Sequence, residues 1–421
     1  MDTRAYYHQS PITRRILEYS DGAVSVSGAN PEIKNARYYR RYDDLLEAMG
    51  EGCDLYRSNL DFNGPVLALD FEYGNCESFG EVFHKPMEVF EKFEPTRVQV
   101  RNVLKKHGVQ HIELMTGQGY NYVMRVGRKT ASYKSLLTLG RTLCVLPRSV
   151  IDRLHEKERQ YGNVPLVDDN LVFAAFGRIT DYIMAMMPDE GQLTLRSSDL
   201  YDSTELAIFD TTLFAYAIHR RSIRCAFSLH QKTKMKAIYG YDGPPIVAIP
   251  SKGVSLEERL KIRQDERNNY ERAVRYAEEV QTHIPTTDLG SLITSYMSSE
   301  TYEQHKAFAA DLLCEPGDGA GEGRDDDVWK LTNWDVLDHK LSSSNLDEDA
   351  LSVLADPNAR LLEPWWLRHI VHSLRDRGFS FSEVVSVITS KYNGPFGWES
   401  ELLKGDTAMR AEYWTRTLWH M

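Results

Sequence analysis

The residues of this chain best suited to chemistry are two carboxylates at the end of an apolar run, Val66-Leu67-Ala68-Leu69-Asp70-Phe71-Glu72. In an extended strand alternate side chains share a face, so Asp70 and Glu72 would project together, about 6.6 Å apart along the backbone. Paired carboxylates approached by a buried strand repel each other and lose solvation, and a divalent cation is the usual compensation. Two such ions about 3.5–4 Å apart, bridged by carboxylates, serve phosphoryl transfer. A third acid, Asp210, ends a second apolar run, Leu206-Ala207-Ile208-Phe209, and would complete the coordination. Taken alone, a D-x-E pair also fits a strand end with two solvated acids.

Two further segments carry groups suited to phosphate. Thr116-Gly117-Gln118-Gly119-Tyr120-Asn121 sets two glycines among polar side chains. Such a turn allows close backbone approach and presents N–H groups to an anion, although a plain hairpin needs the same glycines. Arg224, Ser228, His230, Lys232 and Thr233 follow one another at short polar steps. An Arg, a His and a Lys so spaced can surround a triphosphate, or form a basic sheet edge with a lone surface histidine.

The elements that must position these groups alternate along the chain. Apolar runs between turn signals predict strands over 66–71, 112–115, 120–126, 206–209 and 222–227. Helical patterns cover 86–107, 133–143, 148–161 and 169–187. Ser255-Leu256-Glu257-Glu258 is a capping box that opens a long charge-laced helix to about Val280. The Gly-rich acidic stretch EPGDGAGEGRDDD reads as a linker over 315–328. It separates a catalytic-sized α+β body, 1–314, from a helical C-terminal domain, 329–421. In that domain 364–391 reads as two amphipathic helices broken at Gly378, with Ser380 or Ser382 capping the second. Trp365, Trp366, Arg368, His369 and His372 begin the first and could stack on bases, whereas helical periodicity favours Trp365, Ile370 and Leu374 as core.

Composition sets the class. The chain has 421 residues, 42% of them hydrophobic and 26% charged, which excludes global disorder and low complexity. No apolar run reaches the roughly 20 residues of a membrane helix, and the N-terminus lacks a secretory signal. Five cysteines form no disulfide framework. Cys76, His84, His107 and His111 lack the closely paired spacing that structural zinc favours. These features point to a cytoplasmic or nucleoid-associated protein with no membrane partner. The net charge is −11, yet its distribution is uneven. Between Glu113 and Asp152 stand Arg125, Arg128, Lys129, Lys134, Arg141 and Arg148 with no acid, and between Asp210 and Asp242 stand Arg220, Arg221, Arg224, Lys232, Lys234 and Lys236 with none. Two basic windows are expected to form a phosphate-binding surface. Arg37, Arg40 and Arg41, interleaved with Tyr38, Tyr39 and Tyr42, could grip single-stranded template or cover the surface.

Taken in order, these motifs resemble the archaeo-eukaryotic primase superfamily, which comprises primase small catalytic subunits and primase-polymerases. Its pattern is an acidic pair on a strand, a hydroxyl-bearing turn ending in His, a strand-terminal Asp, and an R-x-x-x-S-L-H-x-K-T segment. Here they stand as Asp70/Glu72, the Thr116 turn, Asp210, and Arg224 through Thr233, with Tyr6-Tyr7, Arg37-Tyr38 and Ser58 resembling the family's opening. The likeness spans about residues 5–285. It implies an α+β primase-like core of mixed and antiparallel sheets flanked by helices. It also implies nucleotidyl transfer from ribo- or deoxyribonucleoside triphosphates on a single-stranded DNA template. Two Mg2+ or Mn2+ ions would sit on Asp70, Glu72 and Asp210. The nucleotide would meet Thr116, Gln118, Asn121, Arg224, Ser228, His230 and Lys232, and a replicative helicase is a further implied partner. Asn121 stands where the family has His, and Gln118 where many members have Arg, so the turn has lost charge. The alternatives are therefore a catalytically impaired nucleic-acid-binding relative or a gap-filling repair polymerase.

Overall fold

The computed structural model describes residues 2–30, 33–75, 78, 80–144, 148–187, 193–197, 205–210, 214, 217–231, 241, 243–251, 253–264, 270–314, 334–355, 364–391 and 415, some by backbone alone. The strands among them are β1 (Val26–Asn30), β2 (Ile33–Tyr39), β3 (Asp54–Ser58), β4 (Val66–Gly74), β5 (Ile112–Met115) and β6 (Gly119–Arg125). They continue with β7 (Thr194–Ser197), β8 (Leu206–Phe209), β9 (Ser222–Arg224), β10 (Leu229–His230), β11 (Ile246–Val247) and β12 (Ile249–Pro250). Among the described residues they form three sheets, in the orders β2-β1-β3-β9, β10-β11 and β12-β5-β6-β4-β8-β7. The largest sheet is antiparallel except where β7 runs parallel to β8. The architecture is α+β, with mixed sheets flanked by helices.

The chain divides into two compact units, residues 1–144 with 154–306, and residues 145–153 with 307–421. All three sheets belong to the first. Its large sheet has two unlike faces. On one, Phe71 of β4 stacks on Phe93 of the helix Pro86–Lys106 at 5.2 Å between centroids, on Phe209 of β8 at 5.2 Å and on Tyr122 of β6 at 5.6 Å. Aromatic pairs of this kind contribute about 0.5–1.5 kcal/mol each beyond their buried area, and they tie three strands into one register. Strand side chains alternate, so the opposite face receives Asp70 and Glu72, which are half-buried while every other residue of β4 is buried. A slip of one residue would drive both acids into the aromatic stack, which specifies the pairing strongly.

The helices read from periodicity are present as Pro86–Lys106, Ala131–Leu143, Arg148–Gln160 and Leu166–Ala185. The long helix expected after Ser255 is not. Ser255 caps it as read, its Oγ accepting from the Glu258 amide at 3.3 Å. The helix then ends at Arg263, and a second, Glu271–Glu279, starts after Tyr270 in the left-handed region at φ 54°. Tyr270 is fully buried against Tyr6, with centroids 4.8 Å apart. β9 also stops at Arg224, short of the expected Phe227, because Phe227 turns left-handed at φ 62°.

In the second unit the helices Pro364–Arg375 and Phe381–Lys391 bury Ile370, Leu374, Val384 and Ile388. Gly378, at φ 78°, ends the first, and Ser380 starts the second by a capping box with Glu383. The linker 315–328 and the side chain of Trp365 lie outside the described residues. Among the described residues no helix is long and apolar enough to cross a membrane.

Candidate active site

The register of the large sheet decides which polar groups meet. β6 sets Asn121 opposite Asp70 and Gly119 opposite Glu72, and β8 sets Ile208 opposite Glu72 and Phe209 opposite Phe71. Asp210 follows directly, and its amide donates to the Asp70 carbonyl at 2.9 Å. Facing residues of an antiparallel pair lie on one side with Cβ atoms about 4.5–5.5 Å apart. Asp70 and Asp210 are therefore cross-strand neighbours on the face away from the aromatic stack, with Glu72 two residues along. Asn121 flanks Asp70 from the other side; with its amide turned so that the nitrogen faces the carboxylate, it donates to Asp70 Oδ1 at 2.5 Å and to the Tyr120 carbonyl at 3.1 Å.

Among the described residues no three carboxylate, imidazole or thiol groups close into a preformed metal cage. Carboxylate oxygens are the donors that hard divalent cations take. Mg2+ is commonly held by one or two carboxylates and completes its octahedron with water and substrate phosphate.

The Thr116 turn is fitted to this patch. A Cβ on Gly119 would stand 2.0 Å from the Phe71 carbonyl oxygen, so glycine is what lets β6 lie against β4 at the acids. Thr116 closes the turn on itself: its amide donates to the Gly119 carbonyl at 2.8 Å and its Oγ1 accepts from the Gly119 amide at 3.2 Å. The half-buried Gln118 uses its carbonyl to accept from the Tyr73 amide at 2.8 Å. A Cβ on Gly117 would fall 2.2 Å from His230 Nδ1. The turn thus lies flush against that imidazole, joining the second phosphate-directed segment to the first.

The segment from Arg224 to Gln231 doubles back at Phe227 and is held from inside the protein. Arg224 donates to Asp54 Oδ2 at 2.9 Å, to Tyr56 Oη at 2.5 Å and to the Leu229 carbonyl, and lies 4.6 Å over the Tyr56 ring. Burial alone would lower its pKa, but Tyr56 and Asp54 hold it above the ordinary arginine value. Ser228 Oγ accepts from the Leu55 amide at 2.7 Å. Tyr6 Oη donates to the Phe227 carbonyl at 2.9 Å, and Tyr7 Oη accepts from the Leu229 amide at 2.9 Å. Arg224 and Ser228 therefore tie the segment to β3, while His230 is buried beside the turn with its ring 6.0 Å from Phe83. Lys232 and Thr233 lie outside the described residues.

Sequence reasoning missed Asp54 and Tyr56, whose D-x-Y spacing on β3 puts both on the Arg224 side. Burial pushes the Tyr56 phenol up to about 12, and the charges of Asp54 and Glu72 add to that shift, so β3 borders the acidic patch. Tyr19 also went unread. Its hydroxyl is buried without a hydrogen-bond partner among the described residues, and burial raises its pKa, with Cys225 and Asp70 adding to the shift. Nothing in the helix Ser10–Ser20 marks it apart from other apolar-face residues.

The two basic windows do not stay unpaired in space. Arg125 pairs with Asp61 at 2.9 Å, Arg128 with Asp169 at 2.5 Å, Arg141 with Asp168 at 3.1 Å and Arg224 with Asp54 at 2.9 Å. Acids from outside the windows neutralise these arginines, and Lys129 and Lys134 are exposed. Arg40, Arg41 and Tyr42 are exposed too, Tyr42 Oη bonding Asp21 Oδ1 at 2.8 Å, whereas the side chains of Arg37, Tyr38 and Tyr39 lie outside the described residues.

No protein-family model matches the chain, and no curated protein matches it. Among solved structures it is similar to the polymerase domain of Mycobacterium tuberculosis ligase D in complex with DNA. The two are 12% identical over 69% of this chain and 91% of that chain, with a TM-score of 0.38.

Proposed function

We propose that the chain is a nucleotidyltransferase of the primase-polymerase type, joining nucleoside triphosphates on a single-stranded DNA template with two divalent cations. The observation that carries this reading is the hydrogen bond from the Asp210 amide to the Asp70 carbonyl, which gathers acids 140 residues apart onto one sheet face. When bound, Mg2+ or Mn2+ would supply Lewis acidity to a 3′-hydroxyl and offset charge on the departing pyrophosphate.

The chain's own groups divide the work. Asp70, Glu72 and Asp210 hold the cations, and the aromatic stack behind them keeps β4 and β8 in register. Thr116, Gln118 and Asn121 line the flank toward β6. His230 contacts the triphosphate, Lys232 is a second phosphate contact by its place in the motif, and Arg224 and Ser228 fix the segment that carries His230. In this reading 1–314 is the catalytic domain, 315–328 the linker and 329–421 the helical accessory domain, although 145–153 and 307–314 cluster with the second compact unit.

The deciding experiment incubates the chain with unprimed single-stranded DNA, Mn2+ and either ribo- or deoxyribonucleotides. New oligomers are expected. Extension confined to primed templates would make it a gap-filling polymerase. DNA binding without pyrophosphate release would make it a binding-only relative, the second reading, which the uncharged Asn121 opposite Asp70 favours.

A further inference from the structure

Arginines buried in a protein need a counter-charge, and this chain supplies one at nearly every such position. The buried arginines among the described residues are Arg57, Arg97, Arg125, Arg224, Arg259 and Arg263. Arg57 pairs with Asp61 at 2.6 Å, Arg97 with Glu113 at 2.6 Å, Arg125 with Asp61 at 2.9 Å, Arg224 with Asp54 at 2.9 Å and Arg259 with Glu94 at 3.0 Å. Arg263, fully buried at the end of its helix, has no carboxylate among the described residues. Its Nη1 donates to the Thr116 carbonyl at 3.2 Å, its plane lies 4.6 Å over the Phe90 ring, and its Nε and Nη2 have no hydrogen-bond partner among the described residues. Burial lowers its pKa to about 10, with Tyr120 and Tyr241 offsetting only part of the shift.

We propose that Arg263 is an anion-binding residue of the candidate site, its Nε–Nη2 edge taking two oxygens of a phosphate of the bound nucleotide. This rests on the nucleotidyltransferase reading and adds a residue to it. The Nε and Nη2 hydrogens point the same way from the planar guanidinium, the fork that matches two phosphate oxygens. The Thr116 carbonyl fixes where the guanidinium lies: behind the turn whose Gly117 abuts His230. Gln118 and Asn121 give that turn no charge, and the cation it lacks is reached through its own backbone.

The test uses the full chain and inorganic triphosphate as probe, followed by titration calorimetry and thermal melting of wild type, Arg263→Met and Arg263→Lys. Wild type should bind triphosphate and melt at a higher temperature with it. Arg263→Met should melt no lower than wild type without ligand, since it removes an uncompensated buried charge. It should bind triphosphate at least tenfold more weakly and lose the ligand-induced rise. Arg263→Lys keeps the charge but not the fork, and should bind several-fold more weakly. A lowered melting temperature in Arg263→Met with unaltered triphosphate affinity would assign the arginine to holding the turn, and would overturn the proposal. If Arg263→Met does not fold, wild-type affinity in Arg263→Lys overturns it instead. Either result, with wild-type nucleotide incorporation intact, leaves the polymerase reading standing. A wild type that binds neither triphosphate nor nucleotide defeats both.

Discussion

Arg224 shows what residue spacing reports and what it does not. The R-x-x-x-S-L-H-x-K-T pattern was legible as a chemically dense segment, but not the direction its side chains take, because that is set by the left-handed turn at Phe227 and by Asp54 on a distant strand. Truncating one member of a buried ion pair leaves the other uncompensated, at a cost of about 3–5 kcal/mol. Arg224→Met should therefore lose stability of that order in urea unfolding, and Asp54→Leu combined with it should recover much of the loss. An Arg224→Met chain of wild-type stability with weakened nucleotide binding would make the arginine a direct nucleotide ligand instead. The acids were more readily legible, since alternation on a strand is a two-residue rule that Asp70 and Glu72 obey alone. Arg263 was not legible at all, since its lack of a carboxylate partner among the described residues shows only in three dimensions.

At the scale of elements, the strands and helices with clear periodicity emerged close to where the sequence set them. After Ser255 the helix stops at Arg263, where Gln264 turns extended, and a second begins after the buried, left-handed Tyr270. The Thr116 turn was read for its glycines, but either a hairpin or a ligand could have required them. The structure supplies a third requirement, close approach to β4 and to His230. Gly119→Ala should therefore cost about 1–3 kcal/mol by overpacking against the Phe71 carbonyl and should disturb the acids with it. Gly117→Ala should displace the His230 ring and weaken triphosphate binding more than it lowers the melting temperature. Native affinity in Gly117→Ala would separate the imidazole from the phosphate site.

Across the whole molecule, charge segregated along the sequence is recombined by folding, as Arg125, Arg128, Arg141 and Arg224 find acids from other elements. Burial also holds His219 down to about 3, with Arg220 and Lys157 adding to the effect, and His305 down to about 4, with Arg178 adding. Below an unfolded histidine pKa near 6.5 the unfolded chain binds protons that these folded imidazoles refuse. Stability is thus complete above about pH 6.5 and falls as pH drops toward the folded values, by about 1.4 kcal/mol per unit for each group. His219→Leu should make the loss between about pH 6.5 and 5 shallower, and an unchanged slope would place the acid sensitivity elsewhere. The account as a whole depends on the acidic face of the β4–β8 pair, and Asp210→Asn tests it most directly. That change keeps the backbone hydrogen bond to Asp70 and removes one carboxylate charge. With the melting temperature within a few degrees of wild type, Mn2+-dependent nucleotide incorporation on single-stranded DNA should fall by about a hundredfold or more. Undiminished incorporation by folded Asp210→Asn would contradict the account.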